Sequence, residues 1–498
     1  MRNIWGEKFF NVPPGEDFAS SLLRGMEDRL CKKLRNKPDR HADTVILCNN
    51  SRSLRRLENT FFESGVSILP RLGLVTDVSF LLNGSTMIKK GVKFESRLEK
   101  LLSLEKLVFS YLMELGHHIQ KESSFNLTVS LEQILRDLTL SGLDATAFEK
   151  IDTGNLSSHR IQSLGFLRII KEYQSYLNKN DILDRDNLNF FWLKILEKEW
   201  KRRPPNFSII IAGSTGSRNT TARLMRAISK LPSGWVVLPG VDETMTDLCW
   251  KEVQPDHPQY SFKRLHNYIN EGSSEFKKIT CPSNWTTDYR TEEIKCRAKL
   301  LSYAMLPSKR LHLWYELRHE LAETFKVGLK KVSIIEKSSS REEAETIALI
   351  VRMAIEKKQS ISIVTPDVKI AKRISQALKR WNITPDNSFG IDSFQTSLSR
   401  FVRLALDFQC LKFDIHNFIA LLKHPLCLEN KRSNHLNFLR KFEVKNLRGS
   451  TSEVGIFELK RGIAKEKKQN TLNKEYSIWL NWVHGLLQDK IKNVKTKL

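Results

Sequence analysis

Three short runs, "TVILC" (residues 44–48), "SIIIA" (208–212) and "GWVVLP" (234–239), contain almost nothing but apolar residues, and the first two lead through a polar turn into a helical pattern. A strand that is apolar at nearly every position is buried on both faces, as strands are in a parallel sheet covered by helices. "NSRSLRRLENTFF" (50–62) opens on a polar cap and continues as a helix. The helix that begins near residue 18 sets Phe18, Leu22, Met26 and Leu30 four apart on one face. "ILPRLGLVTDV" (68–78) reads as a further strand and its loop. The expectation is an α/β fold with a parallel sheet.

That sheet is interrupted. From about residue 90 to 197 a Leu-rich helical periodicity takes over ("RLEKLLSLEKLVFSYLMEL", "SLGFLRIIKEYQSYL"), ending at the basic stretch "KEWKRRPPN" (198–206). Strand character returns near 207. Residues 1–78 and 205–254 are therefore expected to form one α/β domain, with 79–204 a helical insertion and 255–330 a helical connection. A second α/β unit is expected over 331–410, from the strands "KVSIIEK" and "SISIVTP" and the helices "SREEAETIALIVRMAIEK" and "DVKIAKRISQALKRW". Residues 411–498 are expected to be a second helical insertion.

The 498 residues exceed what one core holds, and 40% apolar residues can fill several. No apolar run approaches the roughly 20 residues of a membrane span, and "MRNIWGEKFF" has no apolar signal core, so a cytoplasmic protein is expected. Seven scattered cysteines without a CxxC pair point to buried free thiols rather than a disulfide framework or a metal site. The net charge of +25, from 81 Lys and Arg against 56 Asp and Glu, points to a polyanionic partner.

Two strand-to-helix loops sit where a nucleotide phosphate could bind. A working P-loop needs Gly-x4-Gly-Lys-[Ser/Thr], with backbone N–H groups around the phosphate and a Lys to neutralise it. The first loop (Pro13, Pro14, Gly15) has no Lys, its prolines remove backbone donors, and Glu16 and Asp17 stand where an anion would. These two acids read as a structural helix cap. The second loop, Gly213 to Thr220 with Gly216 between, carries Arg218 and Asn219 in place of the second Gly and the Lys. It reads as a structural turn, as a donor-rich loop (Ser214, Thr215, Arg218) for a DNA phosphate, or as a site of nucleotide hydrolysis. The acids of "DETMTD" (242–247) follow a strand end and read as loop acids rather than metal ligands. Arg52, Arg55 and Arg56 share a face of one helix, and Lys369, Lys372 and Arg373 lie near the start of another. Both groups are candidate phosphate contacts, the alternative being solvated basic faces.

Taken as an ordered set, "NVPPGEDF", "VILCNNSRSLRRLENTF", "LPRLGLVTD", "IIAGSTGSRNTTARLM", "LPSGWVVLPGVD", "HPQYSFKRL", "SREEAETIALIVR", "IVTPDVKIAKRISQALKRWNI" and "GIDSFQTSLSRFVRLALDF" resemble the N-terminal half of the AddB subunit of the AddAB helicase–nuclease, in its alphaproteobacterial form. The resemblance runs from residue 11 to about 408. It implies two RecA-like domains of the UvrD-type superfamily-one helicase fold, each with a helical insertion, that have lost their ATP-binding motifs. It further implies a DNA-binding subunit for double-strand-break repair that contacts DNA ends and single strands and pairs with an AddA-type helicase–nuclease. The family's nuclease domain and its iron–sulfur cluster, held by four cysteines, have no counterpart in these 498 residues, so no cofactor is expected here. The chain then reads as a truncated product, a fragment or half of a split gene, non-catalytic by itself. Two other readings stand beside it: an NTP-hydrolysing enzyme using Gly213–Thr220, and a remnant without function.

Overall fold

A computed structural model describes residues 8–30, 41–66, 68–82, 93–114, 116, 121–141, 166–180, 182–184, 188–270, 281–388, 390, 393–411, 413–447, 456–467 and 474–495. The chain divides into two units, residues 1–333 and 334–498.

The first unit is built on a five-stranded, wholly parallel sheet: β1 (Phe9–Val12), β2 (Thr44–Cys48), β3 (Arg71–Leu74), β6 (Ser208–Ala212) and β7 (Gly234–Pro239), in the order β1-β7-β6-β2-β3. Its central registers set Ile46 beside Ile210 and Ile211 beside Val236. Side chains alternate across the pleat, so each strand feeds two cores. Val45, Leu47, Ile209, Ile211, Val236 and Leu238 face one; Phe10, Ile46, Cys48, Ile210, Ala212 and Val237 face the other. Helices α1 (Phe18–Arg29) and α2 (Ser51–Glu63) close the second core with Leu22, Met26, Leu57 and Phe61.

Between β3 and β6 lie β4 (Lys93–Glu95), α3 (Arg97–Glu114), α4 (Lys121–Ser141), α5 (Phe166–Lys179), β5 (Ile182–Asp184) and α6 (Leu188–Arg202). The helices share a small core of Leu104, Val108, Leu131, Ile169 and Tyr173. The insertion is not purely helical as expected: β4 and β5 pair in parallel, with Glu95 beside Asp184. After β6 come α7 (Asn219–Ser229), then β7, α8 (Asp247–Glu252) and α9 (Tyr260–Ile269). With α6, the helices α7 and α9 cover the first core through Leu196, Leu224, Met225, Ile228, Phe262 and Leu265. Helices α10 (Glu292–Ala304), α11 (Leu313–Glu316) and α12 (Arg318–Gly328) complete the unit.

In the second unit, α13 (Ser340–Glu356) and α14 (Val368–Lys379) pack through Ala344, Ala348, Val351, Ile374 and Leu378. Helices α15 (Ser397–Cys410), α16 (Ile415–Lys423), α17 (Arg432–Asn446), α18 (Ile456–Lys467) and α19 (Lys474–Lys495) form a bundle around Phe408, Phe418, Phe442, Trp479 and Leu480. The two strands expected at 331–337 and 360–366 do not form: neither segment pairs with any strand among the described residues. Ile334 is 88% exposed and Val364 95% exposed. Among the described residues these two runs have no further strand beside them, and a two-stranded ribbon that is not held by packed helices, as β4 and β5 are held by Tyr173 and Lys100, is marginal in water. The five-stranded sheet is in the first unit, and α15, expected in an α/β domain, contributes Phe408 to the helical bundle. No helix among the described residues is long and apolar enough to cross a membrane.

Candidate functional site

In open parallel sheets, ligands bind outside the carboxyl ends of the strands, where the loops leave them. Here loops 13–17, 213–218 and 240–246 follow β1, β6 and β7. They adjoin one another. The Gly240 N–H donates to Val12 O at 2.8 Å and the Gly213 N–H to Val237 O at 3.1 Å. The Phe18 ring lies against Gly213.

In the first loop both acids are engaged by the protein. Asp17 is the N-cap of α1: its carboxylate accepts from the Ser20 N–H at 3.0 Å, a donor a bound phosphate would use. Burial alone would raise the Asp17 carboxyl, but the Ser20 hydrogen bonds and the Arg56 charge, 3.6 Å away, outweigh it and hold the group below its ordinary value. Glu16, 4% exposed at its side chain, accepts from the Ser21 hydroxyl at 2.5 Å and from the Tyr289 N–H at 3.1 Å. The loop backbone is approached from outside as well. Gly15, at φ +93°, has the Ile294 Cγ2 2.3 Å from where a Cβ would sit.

Arg290 closes the arrangement. Its guanidinium, 6% exposed, donates to Pro14 O at 3.3 Å, to Asp288 at 3.0 Å and to Glu243 at 2.7 Å. Hydrogen bonding from Arg290 holds the Asp288 carboxyl well below the carboxylate range. Burial would lower the guanidinium, but its bonds to Asp288 and Glu243 push it up instead. A positive group thus lies against the loop that lacks a Lys, but both its acid partners come from the chain itself. The Arg290 charge is met by these two carboxylates.

The segment reaches this position by running beside β1. The Asn11 N–H donates to Ser283 O at 2.9 Å, and the Trp285 N–H donates to Asn11 O at 2.8 Å. The Trp285 indole enters a notch over Gly25, where a Cβ would lie 2.2 Å from the ring, and donates from Nε1 to Leu22 O at 2.9 Å. Residues 288–294 are thereby carried over the first loop.

The second loop is a tight turn. Gly213 and Gly216 are at φ +73° and +66°, and a Cβ at Gly216 would meet Leu265 at 2.9 Å. Ser214, expected as a phosphate contact, is buried, and its hydroxyl accepts from the Gly216 N–H at 3.4 Å. Thr215 and Thr220 are half-buried and Arg218 is exposed at the start of α7, where its side chain makes no cap hydrogen bond. Arg264 crosses from α9 to donate to Ser217 O and to Asn219 Oδ1. In "DETMTD", Asp242 accepts from the Thr244 and Met245 N–H groups, and Glu243 is taken by Arg290. Among the described residues, no group of three or more His, Cys, Asp or Glu is arranged to hold a metal. A cleft of about 670 Å³ opens beside the plugged loop, between Pro14, Gly240, Arg290, Lys295 and Lys299.

Of the basic candidates, Arg52, Arg55 and Arg56 are exposed on α2, at the same carboxyl edge as the loops. Lys369, Lys372 and Arg373 are exposed on α14 in the second unit, where Lys372 donates to Gln395 and Arg373 to Ser340. Sequence reasoning missed Arg290 and Ile294, which reach Pro14, Glu243 and Gly15 far away in the chain, and Asp288, which holds Arg290 in place. Of the cysteines, Cys48, Cys249 and Cys427 are buried and free as expected, Cys410 is exposed, and Cys31 lies outside the described residues. No protein-family model matches this sequence, and no curated protein matches it.

Proposed function

We propose that this chain is a helicase-like, ATPase-deficient DNA-binding subunit of an AddAB-type double-strand-break repair complex, with RecA-like architecture in its first unit. One observation carries the reading: a parallel sheet puts two strand-to-helix loops together at its carboxyl edge, and the first is filled by Asp17, Glu16 and Arg290 of the chain itself. A scaffold laid out for a nucleotide, with its anion position taken by carboxylates, fits a motor fold retained for its surface rather than for turnover. The net charge of +25 and the exposed Arg52, Arg55 and Arg56 supply a surface for DNA phosphates. ATP hydrolysis would come from an AddA-type partner in the cytoplasm.

The test pairs two measurements on the purified chain. Labelled single-stranded DNA should bind with an affinity that falls steeply with salt, and Mg-ATP should neither bind calorimetrically nor turn over, with or without DNA. Sustained turnover abolished by Thr220→Ala would overturn the reading, as would an absence of DNA binding at low ionic strength.

A further inference from the structure

The sheet's opposite edge carries a feature that the loops do not use. The last turn of α6 leads to the amino end of β6, and the last turn of α7 leads to the amino end of β7. Between these helices and α9 lies a groove of about 400 Å³. Four cations line it, Lys201, Arg223, Arg226 and Lys230, with Trp200 and Tyr268 as its aromatic walls. Glu197 is the one acid in the lining. It is taken by Arg223, which donates Nε–H and Nη2–H to the two carboxylate oxygens at 2.8 and 2.6 Å. Among the described residues neither Lys201 nor Lys230 has a carboxylate partner, and the Arg226 guanidinium, 5.3 Å from the Tyr268 ring centre, has none either. Lys198, Arg202 and Arg203 extend the exposed basic surface beyond the groove.

Cations at helix C-termini interact favourably with the helix dipole, which accounts for Lys201 and Lys230 one at a time. It does not account for the convergence of two basic rows on one concave, aromatic-walled groove with its only acid neutralised. The geometry points to a second nucleic-acid contact at this groove, taking the phosphodiester backbone of a single strand on Lys201, Arg226 and Lys230, with a base against Tyr268. Guanidinium and ammonium groups suit phosphate, and a π face accepts any base. The groove is remote from the carboxyl-edge loops, and it rests on the nucleic-acid reading above.

The experiment compares wild type, the groove variant Lys201→Gln/Arg226→Gln/Lys230→Gln and the edge variant Arg52→Gln/Arg55→Gln/Arg56→Gln. Binding of a labelled 20-nucleotide single strand is followed by anisotropy across salt concentrations. Loss of three phosphate contacts should lower the slope of log K against log salt by about 2 for the groove variant. In parallel, wild-type protein is photocrosslinked to a 5-iodouracil-substituted strand, and adducts are expected at Tyr268. This second readout stands even if the triple variant fails to fold. An unchanged slope in a folded groove variant overturns the groove. So do adducts found only elsewhere in the chain, and either result leaves DNA binding intact. Wild-type protein that binds no DNA overturns the functional reading and the groove together. Capture of polyglutamate in preference to DNA, lost in the groove variant, would reassign the groove to an acidic protein and overturn the proposal.

Discussion

Asp288 and Glu243 share a single guanidinium that is almost wholly buried, both accepting from its Nη2. Removing one of them leaves Arg290 short of a partner. Asp288→Asn should therefore cost about 1–3 kcal/mol at pH 7. The pH dependence follows from the sign of the shift. The folded carboxyl titrates below its ordinary value near 3.9, so its contribution is complete above about pH 4 and is lost as pH falls through the folded value. Urea denaturation at pH 7 and pH 3 should show the wild-type advantage shrinking in acid. An equal difference at both pH values would refute the assignment. The local half of this site was legible in sequence, because Asp17 caps a donor three residues away. Arg290 was not, because its bond to Pro14 spans 276 residues and no short pattern encodes it.

At the scale of the element, the insertion ties helix α3 to the very short strand β5 through a buried ion pair. Lys100 Nζ and the Asp184 carboxylate are 2.8 Å apart, with side chains 4% and 7% exposed. Glu95, next to Asp184 in register, accepts from the Tyr173 hydroxyl and from Ser103 Oγ. Lys100→Met removes the cation paired with Asp184 in the interior and should cost about 3–5 kcal/mol, whereas Lys100→Met combined with Asp184→Leu should recover most of that loss. Thermal denaturation of the three proteins decides it, and additive losses would deny the coupling. The long helices and their caps were readable from pattern, as with Asn50 and Asp367, whose side chains accept from Ser53 N–H and Lys369 N–H. β4 and β5 were not, since three residues carry too little alternation to register.

At the scale of the whole molecule, the first unit forms a five-stranded sheet, and among the described residues of the second there is none. Residues 334–337 and 361–364 hold apolar side chains in water with no ladder hydrogen bonds among the described residues. Their amides should exchange with deuterium as fast as an open loop, while those of α13 and α14 are protected. Slow exchange at 361–364 would reveal a pairing strand. The same two segments separate what sequence determines from what tertiary structure decides. Continuous Val and Ile runs, caps and turn glycines are local properties, so the α/β character, the positions of β1, β2, β3, β6 and β7, and the absence of a Lys from both loops could all be read from the chain alone. Whether an apolar run becomes a strand depends on neighbours to hydrogen-bond it, and whether a loop is open or plugged depends on which distant segment folds over it. Trp285 seated against Gly25 and Arg290 closed over Pro14 exist only once burial and backbone pairing have brought residues 281–294 alongside β1.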